Sequence, residues 1–283
     1  MRRIKRGWAL TKKSWALLSE HRELIRFPLY GGIATILLGI LLLGPGVFFL
    51  DQHSYGAGIP FIVLGIYVLS VVGTYFSVGL AAAADRIFRG QGATVADGLA
   101  VARANFVAIC GWAALATAVG VIIGLLEEQG GAFGDIAGRL VGAAWSLVTF
   151  LAVPVIAIEG TGPIATLKRS ASLFRARWGQ QITGNLAIGG AVFLLGMLPA
   201  LALIVAGIVI WPSVGFAGAL LIVIGALVLG VALLVSKALG GIFGVALYRY
   251  ALDGDVVGGF SQEDLESAVR VRRGRPGTTP GTI

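Results

Sequence analysis

The chain has 283 residues, 57% hydrophobic and 13% charged, with a mean hydropathy of +0.90 and a net charge of +8. Soluble globular domains carry roughly a quarter charged residues, so this composition excludes one and describes an integral membrane protein. Nucleic acid is disfavoured as a partner, because the bases are dispersed over four segments that each adjoin an apolar run.

Residues 1–26 predict a basic amphipathic segment. Ile4, Trp8, Trp15 and Leu18 form an apolar arc, and Arg2, Lys5, Arg6, Lys12 and Lys13 occupy the opposite one, as in a helix lying in the membrane interface. The uncharged run Phe27–Leu50 follows, 24 residues against the roughly 7 to 15 of a signal-peptide core, so it reads as a retained first span. Further runs near the ~20 residues that a crossing needs lie at Phe61–Ala84, Phe106–Leu126, Leu140–Ile158, Gly184–Ile210 and Phe216–Ser236. The last run stays apolar past Lys237 to Leu252. It continues either as one long helix whose lysine reaches the headgroups, or, broken at Gly240 and Gly241, as a short interfacial helix through Tyr248, Arg249 and Tyr250. Ser261 with Asp264 three positions on predicts the cap of a short cytoplasmic helix to about residue 273, and residues 274–283 have the composition of a disordered tail. Residues 1–260 are thus expected to form one transmembrane domain.

Basic residues resist translocation, and their distribution orients the spans. Of the 22 Lys and Arg, eight precede Phe27, three lie in Asp85–Ala104, four in Glu159–Thr183 and six from Lys237 onward, while the alternate loops hold only Arg139. An even number of spans with both termini cytoplasmic follows. The expected fold is all-α: a polytopic bundle of six transmembrane helices in three hairpins, each preceded by a cytoplasmic interfacial basic segment.

An internal repeat supports this division. Ala9, Lys12, Lys13, Ser14, Leu17 and Leu18 recur at the same relative positions as Ala165, Lys168, Arg169, Ser170, Leu173 and Phe174, whereas the middle segment, Gly92–Arg103, shares position but not residues. In the third unit Ile164, Leu167, Ala171, Phe174 and Trp178 fall on one helical face behind Pro163 at the first position, with Lys168, Arg169, Arg175 and Arg177 off it. Trp8, Lys12, Lys13, Trp15, Lys168, Arg169, Arg175 and Trp178 are the candidate lipid- or partner-binding residues. The plainer alternative is that these helices are anchors and topogenic signals.

Chemistry is hard to find. Intramembrane ionisable groups mark ion paths and proton relays, yet all 14 carboxylates and both histidines fall in loops, tails or span ends. His21 and His53 are expected on opposite sides of the membrane, Cys110 is the sole cysteine, and no His-Glu-x-x-His or phosphate-loop pattern occurs, so neither metal nor cofactor is expected. Ser14 and Ser170 each follow two bases, but neighbouring positions on a helix do not face each other, which argues against a Ser/Lys pair. Glu159 ends the fourth span before Gly160, Gly162 and Pro163. It is either a contact at the inner mouth of the bundle or a boundary carboxylate paired with a nearby base. Thr117, Thr149, Pro154 and Asn185 are candidates to line a pore or solute site, and glycines four apart, Gly120 and Gly124, Gly138 and Gly142, Gly240 and Gly244, predict close helix packing.

The run from Gly142 carries Trp145, Thr149, Phe150, Val153, Pro154, Glu159, Gly160, Gly162, Pro163, Ala165, Lys168, Arg169, Ser170, Leu173, Trp178 and Gly179. With Phe27-Pro28-Leu29, Gly111-Trp112-Ala113 and Leu247-Tyr248-Arg249-Tyr250-Ala251, it resembles an uncharacterised prokaryotic six-span membrane family of unknown function. More distantly, the Glu-Gly turn leading into a basic, Ser-containing helix is similar to the membrane domain of some glycerophosphodiester phosphodiesterases, whose catalytic domain has no counterpart here. The resemblance implies a six-helix bundle in a prokaryotic plasma (inner) membrane and no activity. The expected function is non-enzymatic: engagement of phospholipids, preferably anionic, or of a membrane-protein partner or second copy, organising the membrane or assisting another membrane system. The alternative is a transporter or channel for a neutral or lipidic solute.

Overall fold

A computed structural model describes residues 15–129, 131–178, 196–262 and 265. Among these the chain is all-helical. A 3-10 turn, Arg22–Ile25, leads into α1 (Arg26–Asp51), and there follow α2 (Tyr55–Phe88), α3 (Val95–Ala104), α4 (Phe106–Gln129), α5 (Gly131–Val148), α6 (Ala152–Glu159), α7 (Pro163–Trp178), α8 (Leu198–Ile210) and α9 (Gly215–Asp253). Five segments are long and apolar enough to cross a membrane: Arg22–Asp51, Tyr55–Phe88, Phe106–Glu128, Ile136–Glu159 and Gly215–Asp253. The run expected from Gly184 is described only as the 13-residue α8, since Asn185 and its neighbours lie outside the described residues. So do Trp8, Lys12, Lys13, Ser14 and residues 266–283.

Several boundaries have a direct physical cause. Only residues 52–54 separate α1 from α2, so the connection expected from Asp51 to Pro60 is mostly helix; Pro60 lies inside α2, where it forgoes the bond to the Gly56 carbonyl without ending the helix. Thr94 opens α3 with a reciprocal cap: its hydroxyl accepts from the Asp97 amide while the Asp97 carboxylate accepts from the Thr94 amide at 2.9 Å. Gly160 closes α6 at φ 64°, and a Cβ there would stand 2.8 Å from the Asn105 Oδ1, so both conformation and space demand glycine.

The run Leu140–Ile158, read as one span, is interrupted between Val148 and Ala152. Pro154 has no N–H for the Phe150 carbonyl and its ring crowds that carbonyl, so the chain steps aside one turn earlier. Ser170 repairs the gap from α7. Its hydroxyl donates to the Val148 carbonyl at 2.6 Å and accepts from the Leu151 amide at 3.2 Å.

Helix α2 is the central pillar, in contact with α1, α3, α4, α6 and α9, while α5 packs on α4 and α7, and α8 on α9. Close approach depends on glycine, and of the pairs expected from spacing only Gly138 sits tightly, where an added Cβ would run into the Glu127 side chain. Gly120, Gly124 and Gly240 face open space. Other tight contacts include Gly207 against the Gly218 carbonyl and Gly225 against the Ala200 carbonyl, where an added Cβ would sit at 2.7 and 2.9 Å. Gly218, Gly225 and Ala232 recur at seven-residue spacing and are the buried seam of the first half of α9.

Candidate functional site

The buried core gathers at one end of the bundle. Phe27 of α1, Val78–Asp85 of α2, Ile109 and Trp112 of α4, all of Ala152–Ala157 of α6 but Val153, and most of Ala238–Ala251 of α9 are buried there. Most of the described basic residues lie in or beside the 3-10 turn, the α2–α3 connection and α7, with Arg139 on α5 and Lys237 and Arg249 on α9 among those apart from them.

Two carboxylates anchor this end. Asp85, on the last turns of α2 and only 5% exposed, accepts from Arg249 of α9 (Nη2 at 2.6 Å, Nε at 2.8 Å) and pairs with Arg89 one turn along its own helix at 2.7 Å. Glu159, at the end of α6, accepts from Arg169 of α7 at 2.8 Å and from the Tyr248 hydroxyl of α9 at 2.7 Å. The adjacent residues Tyr248 and Arg249 thus clamp the carboxylates that end α2 and α6. The Glu159 hydrogen bond raises the Arg169 guanidinium further above its already high ordinary pKa, so its charge is permanent and committed to the bundle.

Helix α7 shows two faces. Thr166, Ser170, Leu173 and Phe174 are buried against the bundle, and Leu167 packs on the core. That buried face is rotated from the apolar stripe read in the sequence: Ile164, the first residue of the stripe, is 54% exposed. Lys168 and Arg175 are exposed beside it, two turns or about 10 Å apart along the axis. Neither has a carboxylate partner among the described residues. Trp15, the one described member of the N-terminal group, is exposed, while the repeat pair Leu17 and Leu18 packs into the core as Leu173 and Phe174 do.

Of the residues expected to line a pore, Thr117, Thr149 and Pro154 lie among the described residues and Asn185 does not. The Thr149 hydroxyl, just past the end of α5, donates to the Trp145 carbonyl one turn back, and Pro154 of α6 is buried against Gly244 of α9. The Thr117 hydroxyl on α4 is buried without a hydrogen-bond partner. No group of three or more metal-ligating side chains occurs among the described residues.

Sequence reasoning passed over Asp85, Tyr248 and Arg249 as site residues. A signal was present: Asp85 directly follows Ala81–Ala84 in a helical run, and Arg249 stands among apolar residues well past Lys237. Ionisable groups in such settings are rare unless paired.

Fold and site together define a class: a bundle of long apolar helices, cinched at one basic end by two carboxylates and carrying an outward-facing basic helix. The chain belongs to the family of unknown function DUF6159, whose model matches residues 57–259 and so takes in Asp85, Glu159, α7 and the Tyr248-Arg249 clamp. No curated protein matches the chain.

Proposed function

We propose that this is a non-enzymatic, six-span membrane protein of a prokaryotic inner membrane, with its basic end cytoplasmic, that engages anionic phospholipid headgroups through α7 and its N-terminal counterpart. The observation that carries the reading is the division of labour on α7. One face is fixed to the bundle by Ser170, Leu173, Phe174 and the Arg169–Glu159 pair, while Lys168 and Arg175 project outward beside the exposed Ile164. A rigid helix with a cationic and apolar outer face suits an anionic interface, where each Lys or Arg contributes about 1 kcal/mol. Side-by-side packing of α1 on α2, α4 on α5 and α8 on α9 supports three hairpins, with the α8 span reaching back toward Gly184. Held this way, the protein would concentrate anionic lipid around itself, organising the bilayer or presenting that lipid to another membrane system.

The test is electron spin resonance of the protein in mixed bilayers, comparing spin-labelled phosphatidylglycerol with phosphatidylcholine in the motionally restricted shell. Replacing Lys12, Lys13, Lys168 and Arg175 by Gln is expected to lower the preference for the anionic lipid by at least about threefold. An unchanged preference would overturn the reading. Arg169 is left intact because Glu159 engages it. A second reading, passage of a neutral or lipidic solute, is favoured by one observation, the unpartnered Thr117 hydroxyl within the bundle. Solute flux in proteoliposomes that Thr117→Val abolishes would establish it.

A further inference from the structure

A cavity of about 490 Å³ opens between α1, α2 and α9, within the size range of ligand pockets. Its walls are almost wholly apolar. Along α1 it extends from Pro28 to Ile36, about 12 Å, with Leu80 of α2 and Lys237 of α9 at the Pro28 end and Gly73 and Gly230 deeper in. The cavity is a trough open at the side, since Ile36 on its rim is 64% exposed. Its depth comes from missing side chains: a Cβ built at Gly73 or at Gly230 meets nothing within 4 Å.

Its polar groups are few, Thr35 near the Ile36 end, Ser77 midway and Lys237 toward the Pro28 end, and only the last is charged. The Ser77 hydroxyl is committed to the Gly73 carbonyl of its own helix. Lys237 is exposed and has no carboxylate partner among the described residues, while the buried Asp85 and the half-buried Glu159 of this end are held by arginines. A long apolar trough closed by one uncompensated cation is complementary to a chain-bearing anion. A neutral solute has no use for the charge, and a polar anion has none for the trough.

We propose that this groove binds one anionic phospholipid, an acyl chain lying between Gly73 and Gly230 and the headgroup phosphate on Lys237. The inference rests on the membrane reading above but concerns a different surface. Lipid at α7 is a diffuse shell drawn by exposed charge, whereas lipid in the groove is a single molecule held by shape and charge together.

Native mass spectrometry of the delipidated full-length protein, titrated with dioleoyl phosphatidylglycerol or dioleoyl phosphatidylcholine, tests it. The wild type is expected to bind one phosphatidylglycerol at least tenfold more tightly than phosphatidylcholine. Gly73→Leu and Gly230→Leu fill open space on helices where leucine is the better helix former, so both are expected to fold and to lose that single lipid. Lys237→Gln is expected to retain a lipid without headgroup preference. Lys168→Gln with Arg175→Gln is expected to keep the groove lipid while lowering the shell preference seen by spin resonance, which separates the two claims. The proposal is overturned by an equally tight single lipid in either leucine variant that melts at the wild-type temperature, by no preference for phosphatidylglycerol in the wild type, or by a dimer that both leucine variants dissolve, which would make a second copy the occupant.

Discussion

The two halves of α9 have nearly the same apolar composition and opposite environments. From Gly215 to Ser236 its large side chains face outward, as Phe216, Leu227 and Val231 do, and only Gly218, Gly225 and Ala232 are buried. From Ala238 to Ala251 the helix is mostly buried, Leu239, Ile242 and Leu247 completely. The outer half is held to α8 by a glycine seam and has no charge, whereas the inner half is held to α2, α6 and α7 by packing and by Tyr248 and Arg249. Apolar side chains facing outward carry no penalty in a bilayer, where helix association comes from close packing instead of exclusion from water. The same hydrophobicity therefore serves solvation in lipid at one end and a conventional core at the other, and the two ends should fail in different ways.

The largest expected loss is at the inner end. Asp85→Ala strands Arg249, which is only 16% exposed, and should lower stability by about 3 kcal/mol, read as a fall in the apparent melting temperature in detergent. Arg249→Met should cost less, because Asp85 keeps Arg89. If the two substitutions cost the same, the clamp is not anchored as described.

At the outer end the matching change is steric. Gly225→Val would press on the Ala200 carbonyl and should destabilise by about 1–3 kcal/mol, with proteolysis appearing first around α8. Loss that begins instead at α2 or α6 would show that the halves are not independent.

Ser170→Ala leaves the Leu151 amide and the Val148 carbonyl without their partner and should cost about 1–2 kcal/mol. Combining it with Pro154→Ala, which restores a donor for the Phe150 carbonyl and so permits a continuous helix, should recover part of that loss. A purely additive double variant would mean the proline is not the reason for the interruption.

The smallest effect lies in α3. Hydrogen bonds from the Thr94 amide and hydroxyl hold the Asp97 carboxyl below its usual value. A depressed folded pKa means the cap is intact above the ordinary aspartate range and is lost as pH falls through the lowered value. The Thr94 amide resonance should titrate below the normal aspartate pKa, and titration at the ordinary value would refute the cap.

Much of this was legible from residue types alone. The first, second, third and last long apolar segments follow from uninterrupted runs, because a helix in lipid must be apolar on all sides and so leaves a strong signal. The interruption before Pro154 was readable only as a kink, since its repair by Ser170 depends on a helix about twenty residues further on. Of the glycines four apart Gly138 does meet a neighbour closely, but the α9 seam was not marked, because spacing on one helix does not say which face meets a neighbour. For α7 the helical period located an amphipathic helix, but the buried face is set by contacts with α4, α5, α6 and α9 and includes Thr166 and Ser170, which no hydropathy pattern would choose. The Asp85–Arg249 pair spans 164 positions of sequence, a partnership visible only once α2 and α9 lie side by side.

The central claim is that six crossings place every basic segment on one face, and labelling of introduced cysteines tests it most directly. With Cys110 replaced by Ala, single cysteines at Ser54, Gly92, Thr161 and Ser213 would be probed with a membrane-impermeant maleimide on sealed vesicles of either orientation. The account predicts that Gly92→Cys and Thr161→Cys label from one side, and Ser54→Cys and Ser213→Cys from the other. Labelling of Ser213→Cys from the same side as Thr161→Cys would contradict it, leaving five crossings and a basic end divided between the two faces of the membrane.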